Sequence, residues 1–175
     1  VVFASAANLQ NPATGGTYIL QVHTSVEQTK VTSQGYTIQA PNTTVTAANV
    51  TPTPNGVNST AEYAIGFNVG GSGALQAGSS TITFAFPAGT VLPTSIASSK
   101  VTVNGTISAG VSVLGQEITV TVPGTVTISN SDSVAVVFAV AALVQNPPIQ
   151  GQYTLTVATS SEPTAVVSNP YTIGA

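Results

Sequence analysis

Gly16-Thr17-Tyr18-Ile19-Leu20-Gln21-Val22-His23-Thr24-Ser25-Val26-Glu27 returns near the other end of the chain as Gly151-Gln152-Tyr153-Thr154-Leu155-Thr156-Val157-Ala158-Thr159-Ser160-Ser161-Glu162. Tyr, Leu and Val recur at every second position in both stretches, the period of a strand with one face turned to a core. The match extends well beyond this motif. Residues 1–40 align without a gap with residues 136–175, from Val1-Val2-Phe3-Ala4 against Val136-Val137-Phe138-Ala139, and 23 of the 40 pairs are identical. Self-similarity at a fixed offset is the mark of a tandem array. Residues 1–40 are therefore expected to be the C-terminal strands of a preceding repeat, or strands donated by swapping, and residues 41–175 one complete repeat. The boundary is expected at 39–42, where Ala40-Pro41-Asn42 interrupts pairing. Forty residues of strand cannot bury both faces of a sheet, so this part should fray or borrow strands. The competing arrangement folds residues 1–40 into the same body as the rest.

Working outward, almost every other segment alternates apolar and polar residues and is rich in β-branched side chains. Strands are expected at 43–50, 62–69, 80–86, 101–104, 111–114, 117–122, 126–128, 134–140, 153–159 and 166–173. Turn formers separate them: Pro52-Thr53-Pro54-Asn55-Gly56, Gly70-Gly71-Ser72-Gly73, Asn104-Gly105, Pro123-Gly124 and Asn146-Pro147-Pro148. No long helical period appears, and residues 93–99 offer at most one helical turn. The fold class expected is all-β, an antiparallel immunoglobulin-like β-sandwich with about 8–10 strands per unit. Ile65, Phe67, Ile82, Phe84, Phe86, Val136 and Phe138 are expected to form its core.

Composition narrows the function classes. Charged residues make up 4% of the chain, against about 25% in ordinary soluble domains, whereas Ser and Thr number 45 of 175. Hydroxyls and amides must therefore make the surface, and little charge repulsion keeps copies apart. With Lys30 and Lys100 as the only basic side chains apart from His23, and a net charge of -3, binding to a phosphate backbone is excluded. There is no cysteine, so disulfides and thiolate metal sites are excluded too. No apolar run approaches the roughly 18 residues of a membrane-spanning helix, so membrane insertion of this segment is not expected.

The repeated pattern of Asn-Pro, Gly-x-Tyr-x-Leu-x-Val-x-Thr-Ser-x-Glu and Tyr-Thr-Ile runs through 10–38 and 145–173. It stands beside Ile82-Thr83-Phe84-Ala85-Phe86-Pro87-Ala88-Gly89-Thr90 and Val101-Thr102-Val103-Asn104-Gly105. Together these resemble the β-sandwich repeats of prokaryotic cell-surface proteins such as S-layer components, adhesins and surface filaments. The resemblance implies an immunoglobulin-like fold and an extracellular, cell-surface address, and it carries over no catalytic residue.

Candidate chemistry is sparse. His23 is the only imidazole and is replaced by Ala158 in the other copy, so it is expected on a strand surface. The carboxylates Glu27, Glu62, Glu117, Asp132 and Glu162 are scattered; a calcium cage would need backbone carbonyls around Asp132, and no metal or cofactor is expected. Glu27 and Glu162 correspond and are expected to accept turn amides. The Gly70–Gly73 run lacks the lysine of a phosphate loop and is expected to be a mobile turn. Lys100 could form an isopeptide crosslink with an asparagine if Glu62 or Glu117 supplied a buried acid. Four sequons, at Asn42, Asn49, Asn58 and Asn104, are candidate N-glycosylation sites.

The expected function is a non-catalytic structural subunit or repeat of an extracellular prokaryotic assembly (filament, stalk or S-layer), with neighbouring copies of itself as partners, by tandem linkage or strand exchange, and with glycans. The alternatives are an adhesin-type module binding carbohydrate or protein through loops 52–59 and 70–78, or an accessory domain of a surface enzyme.

Overall fold

A computed structural model of the chain describes residues 1–2, 7, 9–12, 14–40 and 42–175. Phe3 and Ala4, in the opening match, and Pro41, at the expected boundary, lie outside them. The chain divides into two compact units, Val1–Pro41 and Asn42–Ala175.

The first unit contains two nested antiparallel ladders. β1 (Gly16–Tyr18) pairs with β4 (Tyr36–Ile38), and β2 (Gln21–Val22) pairs with β3 (Val31–Thr32). Ser33 holds the two together: its N–H donates to Leu20 O at 2.8 Å and its hydroxyl accepts the Leu20 N–H at 2.9 Å. A serine here stitches the backbone where the chain leaves one ladder for the other.

The second unit is all-β. One five-stranded antiparallel sheet has the order β5 (Asn49–Thr53), β6 (Glu62–Asn68), β12 (Ser133–Phe138), β8 (Val101–Val103) and β9 (Thr106–Ile107). The other has the order β10 (Gly110–Leu114), β11 (Glu117–Thr121), β7 (Thr81–Ala85), β14 (Thr156–Thr159) and β15 (Val166–Val167). β13 (Gly151–Tyr153) and β16 (Tyr171–Ile173) form a further two-stranded ladder. Among the described residues helix is limited to short 3-10 turns, including Ser98–Lys100 and Val140–Ala142.

Period-two patterning becomes burial here. Along β6, Tyr63, Ile65 and Phe67 are buried while their neighbours are not, and Ile82 and Phe84 do the same on β7. All seven expected core residues are buried. The two sheets meet through aromatic edges: Phe84 stands edge-on to Phe138 at 5.5 Å, and Tyr63 to Phe86 at 5.4 Å, the arrangement ring quadrupoles favour. Asn104 and Gly105, both at positive φ (48° and 78°), make the two-residue hairpin between β8 and β9, the geometry an Asn-Gly pair adopts cheaply.

Several strand boundaries differ from the sequence reading, each for a local reason. The expected strand 43–50 is displaced to Asn49–Thr53 and includes Pro52; proline is tolerated because β5 is an edge strand. Residues 126–128 contribute only an isolated bridge from Ile128 to Leu75. The expected strands 153–159 and 166–173 each break in two, since Ser168 repeats the stitch to Leu155 and Pro170 follows.

One buried polar node links the strands. Asn146 is fully buried; its Oδ1 accepts the Tyr63 hydroxyl at 2.7 Å, and its Nδ2 donates to the carbonyls of Pro54 and Gly56 at 2.9 and 2.8 Å. Asn146→Ala removes all three bonds and leaves Tyr63 Oη unsatisfied. Its expected cost is about 2–4 kcal/mol, measurable by urea unfolding of the chain. Burial pushes the Tyr63 phenol well above the ordinary tyrosine value, and Tyr171 likewise by burial with its tyrosine neighbours adding. A raised folded-state value means that the native state holds protons the unfolded chain releases. The contribution of these two phenols to stability is therefore expected to be constant below pH about 10 and to be lost above it, a trend Tyr63→Phe would weaken in alkaline melts.

Candidate functional site: a hairpin pair in two settings

Residues 14–40 and 149–175 fold into the same object. The ladders have equivalent registers, Gly16↔Ile38 matching Gly151↔Ile173 and Val22↔Val31 matching Val157↔Val166. Tyr18 Oη donates to Thr14 O at 2.7 Å as Tyr153 Oη does to Ile149 O. The Tyr18–Tyr36 rings lie 6.3 Å apart and the Tyr153–Tyr171 rings 6.4 Å apart, both tilted by 35°. Thr24 and Thr159 accept the N–H of Glu27 and Glu162 with their hydroxyls. Local sequence is sufficient to make this shape.

What the two copies touch is different. In the second unit β14 pairs with β7 on one side and β15 on the other, whereas among the described residues β2 pairs only with β3. Leu155 is 1% exposed and its counterpart Leu20 53%; Val157 is 0% exposed and Val22 57%. Tyr171 and Ile173 are buried at 5% and 1%, while Tyr36 is 40% exposed. Asn11, the counterpart of Asn146, is exposed as well. His23, Thr24, Val26 and Glu27 line an open hollow of about 710 Å³ at the tip of the first pair.

Glu162 shows what the missing contact does. It is 1% exposed, and both carboxylate oxygens accept the Gly70 N–H, at 3.0 and 3.1 Å. A Cβ on Gly70 would collide with Glu162 Oε1 and with the Asn42 and Thr44 carbonyls, and one on Gly73 would come within 2.5 Å of Glu162 Oε2. The glycine run is therefore not a mobile turn: Gly70 and Gly73 are buried and leave room for a carboxylate. The carboxylate does not serve its own turn either, since the threonine hydroxyl takes that amide. The spacing of Glu27 and Glu162 shows their equivalence, but nothing in the sequence marks Gly70 as the partner.

The remaining candidates fall apart spatially. His23 is exposed on the first unit. Asp132 Oδ2 accepts the Ser129 N–H at 2.7 Å, capping its own turn. Among the described residues no group of three or more His, Cys, Asp or Glu could hold a metal. Lys100 and Glu117 are exposed and Glu62 is half-buried, with Glu62 and Glu117 on different sheets; the enclosed acid an isopeptide bond requires is not formed by either. All four sequon asparagines are exposed. Asn49 and Asn104 border one groove of about 300 Å³ across the outer side of β6 and β12, with Gly66 as its floor. Asn104 Oδ1 accepts the Ala135 N–H at 2.8 Å.

No protein-family model and no curated protein matches the chain. Among solved structures it is similar to the crystal structure of BslA, a bacterial hydrophobin. That match has a TM-score of 0.45 and 18% identity, and covers 74% of this chain and 96% of that one.

The two settings predict unequal mutational responses. Leu155→Ala should cost about 2–5 kcal/mol by opening a cavity in the core, while Leu20→Ala in the same chain should change the unfolding of the second unit by less than about 0.5 kcal/mol. Gly70→Ala should destabilise that unit by several kcal/mol, on the order of a severe core lesion. Denaturant titrations of the three variants would check this ordering.

Proposed function

We propose that this chain is part of an extracellular prokaryotic surface assembly (a filament, stalk or S-layer), built from immunoglobulin-like β-sandwich repeats of about 135 residues. Its role in this reading is mechanical and non-catalytic. The observation that carries it is the doubled hairpin pair: one local sequence makes one shape twice, closed over a core in one copy and open in the other. A stand-alone enzyme has no use for a second closing element, whereas a repeating fibre needs one per unit.

The surface agrees. Few charges interrupt it, and β10 ends its sheet as a five-residue strand, Gly110–Leu114, without a charged side chain. Charge or proline normally guards such an edge, so it is available for pairing with a neighbouring copy. The exposed sequons at Asn42, Asn49, Asn58 and Asn104 offer places for glycans to hydrate a neutral surface; an archaeal host would supply the machinery. The adhesin alternative gains little, because the aromatic side chains of the second unit are buried apart from the half-buried Tyr153, leaving no exposed aromatic platform for sugar rings.

Electron microscopy of the native material should show a fibre or lattice with a regular axial or in-plane repeat; dispersed single particles would reject the reading. Glycopeptide mapping of the same material should find hexose-bearing peptides at these asparagines, and four unmodified sites would remove the glycan component.

A further inference from the structure

We propose that the open face of residues 14–40 is an interaction surface closed by a β-body of the same repeat type. That body corresponds to residues 42–135 and is one whose own closing hairpin pair is absent, leaving its seat open. This rests on the tandem-repeat reading above and names the partner surface within it.

The structure contains its own template. In the second unit, eleven positions between 142 and 173 are buried. Ten of them carry the same residue in the first copy, and the eleventh exchanges Val144 for Leu9. Overall only 23 of 40 aligned pairs are identical. The differences concentrate on positions that are not buried: Gln152 for Thr17, Ala158 for His23, Ser161 for Val26 and Ala165 for Lys30. Residues chosen for burial have therefore been retained in the copy where Leu20, Val22 and Tyr36 meet solvent. An apolar strand face of this kind marks a surface made to be covered.

The template also supplies the contacts. Thr156, Val157, Ala158 and Thr159 of β14 lie opposite Ala85, Phe84, Thr83 and Ile82. By equivalence Gln21, Val22, His23 and Thr24 pair with a strand of the Thr81–Ala85 type. Val22 lies beside its phenylalanine as Val157 lies beside Phe84, Leu20 is covered as Leu155 is, Asn11 accepts a hydroxyl of the Tyr63 type, and the Glu27 carboxylate accepts an amide of the Gly70 type. The last contact gives selectivity: the receiving body must offer a glycine, because any Cβ there would strike the carboxylate. A second copy of this chain is a poor receiver. Its own 42–135 body is already closed by residues 136–175, which are covalently attached and buried in the seat.

Hydrogen exchange tests the inference on two chains: the 175-residue protein, and the same protein with a copy of residues 41–135 joined ahead of Val1. In the longer chain the amides of 21–24 should slow on the order of 100-fold or more, approaching those of 156–159, and Glu27→Ala should reverse this while leaving 156–159 unchanged. Leu20→Ser in the longer chain should act likewise, which guards against a special effect of the carboxylate. Unchanged exchange at 21–24, or an added body that stays unfolded while residues 42–175 remain native, overturns the inference. So does strong protection of 21–24 in the 175-residue protein, whether in the monomer or in a concentration-dependent dimer that would make a second copy the occupant. Each of these can occur in material that still forms fibres or lattices, so closure can fail while the assembly reading stands.

Discussion

A strand with one apolar face gains little from burial until that face is covered, and the seating of the hairpin pair at 149–175 depends on this. Its backbone bonds are local, yet Leu155, Val157, Tyr171 and Ile173 have nothing of their own to bury against. They are buried because β14 pairs with β7 and the opposing sheet sets Tyr63 edge-on to Tyr171 at 6.2 Å. Hydrophobic burial scales with area removed from water, about 25 cal/mol per Å². Leu155 and Val157 therefore contribute strongly in one unit, and their counterparts Leu20 and Val22 little in the other. The rest of the second unit follows from this closure: it joins the chain's last segment to strands more than 70 residues earlier in sequence.

Two polar contacts make the closure specific as well as apolar. Asn146 satisfies its side chain completely inside the core, and Glu162 places a carboxylate against the backbone of a glycine. A buried polar group without partners costs more than a hydrogen bond returns, so these two residues tolerate one seating and penalise others. An apolar hairpin alone could slide by two residues and still hide its hydrophobic face; an asparagine and a carboxylate that need particular partners forbid it. Both recur in the first copy as Asn11 and Glu27.

The near absence of charge acts at a different level. It contributes little to the choice of fold, because packing of alternating residues decides that. It bears instead on the surface: the edge strands β5, β9, β10 and β15 carry no lysine or glutamate and so offer little charge repulsion to a like edge. In the assembly proposed above, such a surface would let copies lie close together, with glycans on exposed asparagines keeping them ordered.

The sequence by itself determined the all-β class, the alternation that fills the core, the turn at Asn104-Gly105 and the duplication at an offset of 135, because each follows from local sterics or from direct comparison of residues. It also determined the shape of the hairpin pair, whose ladders and stitching serine lie within about 25 residues. Strand limits were less legible, since Ser168 and Pro170 break a continuous apolar pattern through bonds that alternation does not encode. Which residues would be buried was decided only by tertiary structure. Leu20 and Leu155, or Glu27 and Glu162, are the same residues in the same local geometry, and only the presence or absence of β7 and Gly70 beside them separates solvent from core. Gly70 itself carried no mark beyond a glycine-rich run, because the need for an absent Cβ arises from a carboxylate 92 positions away.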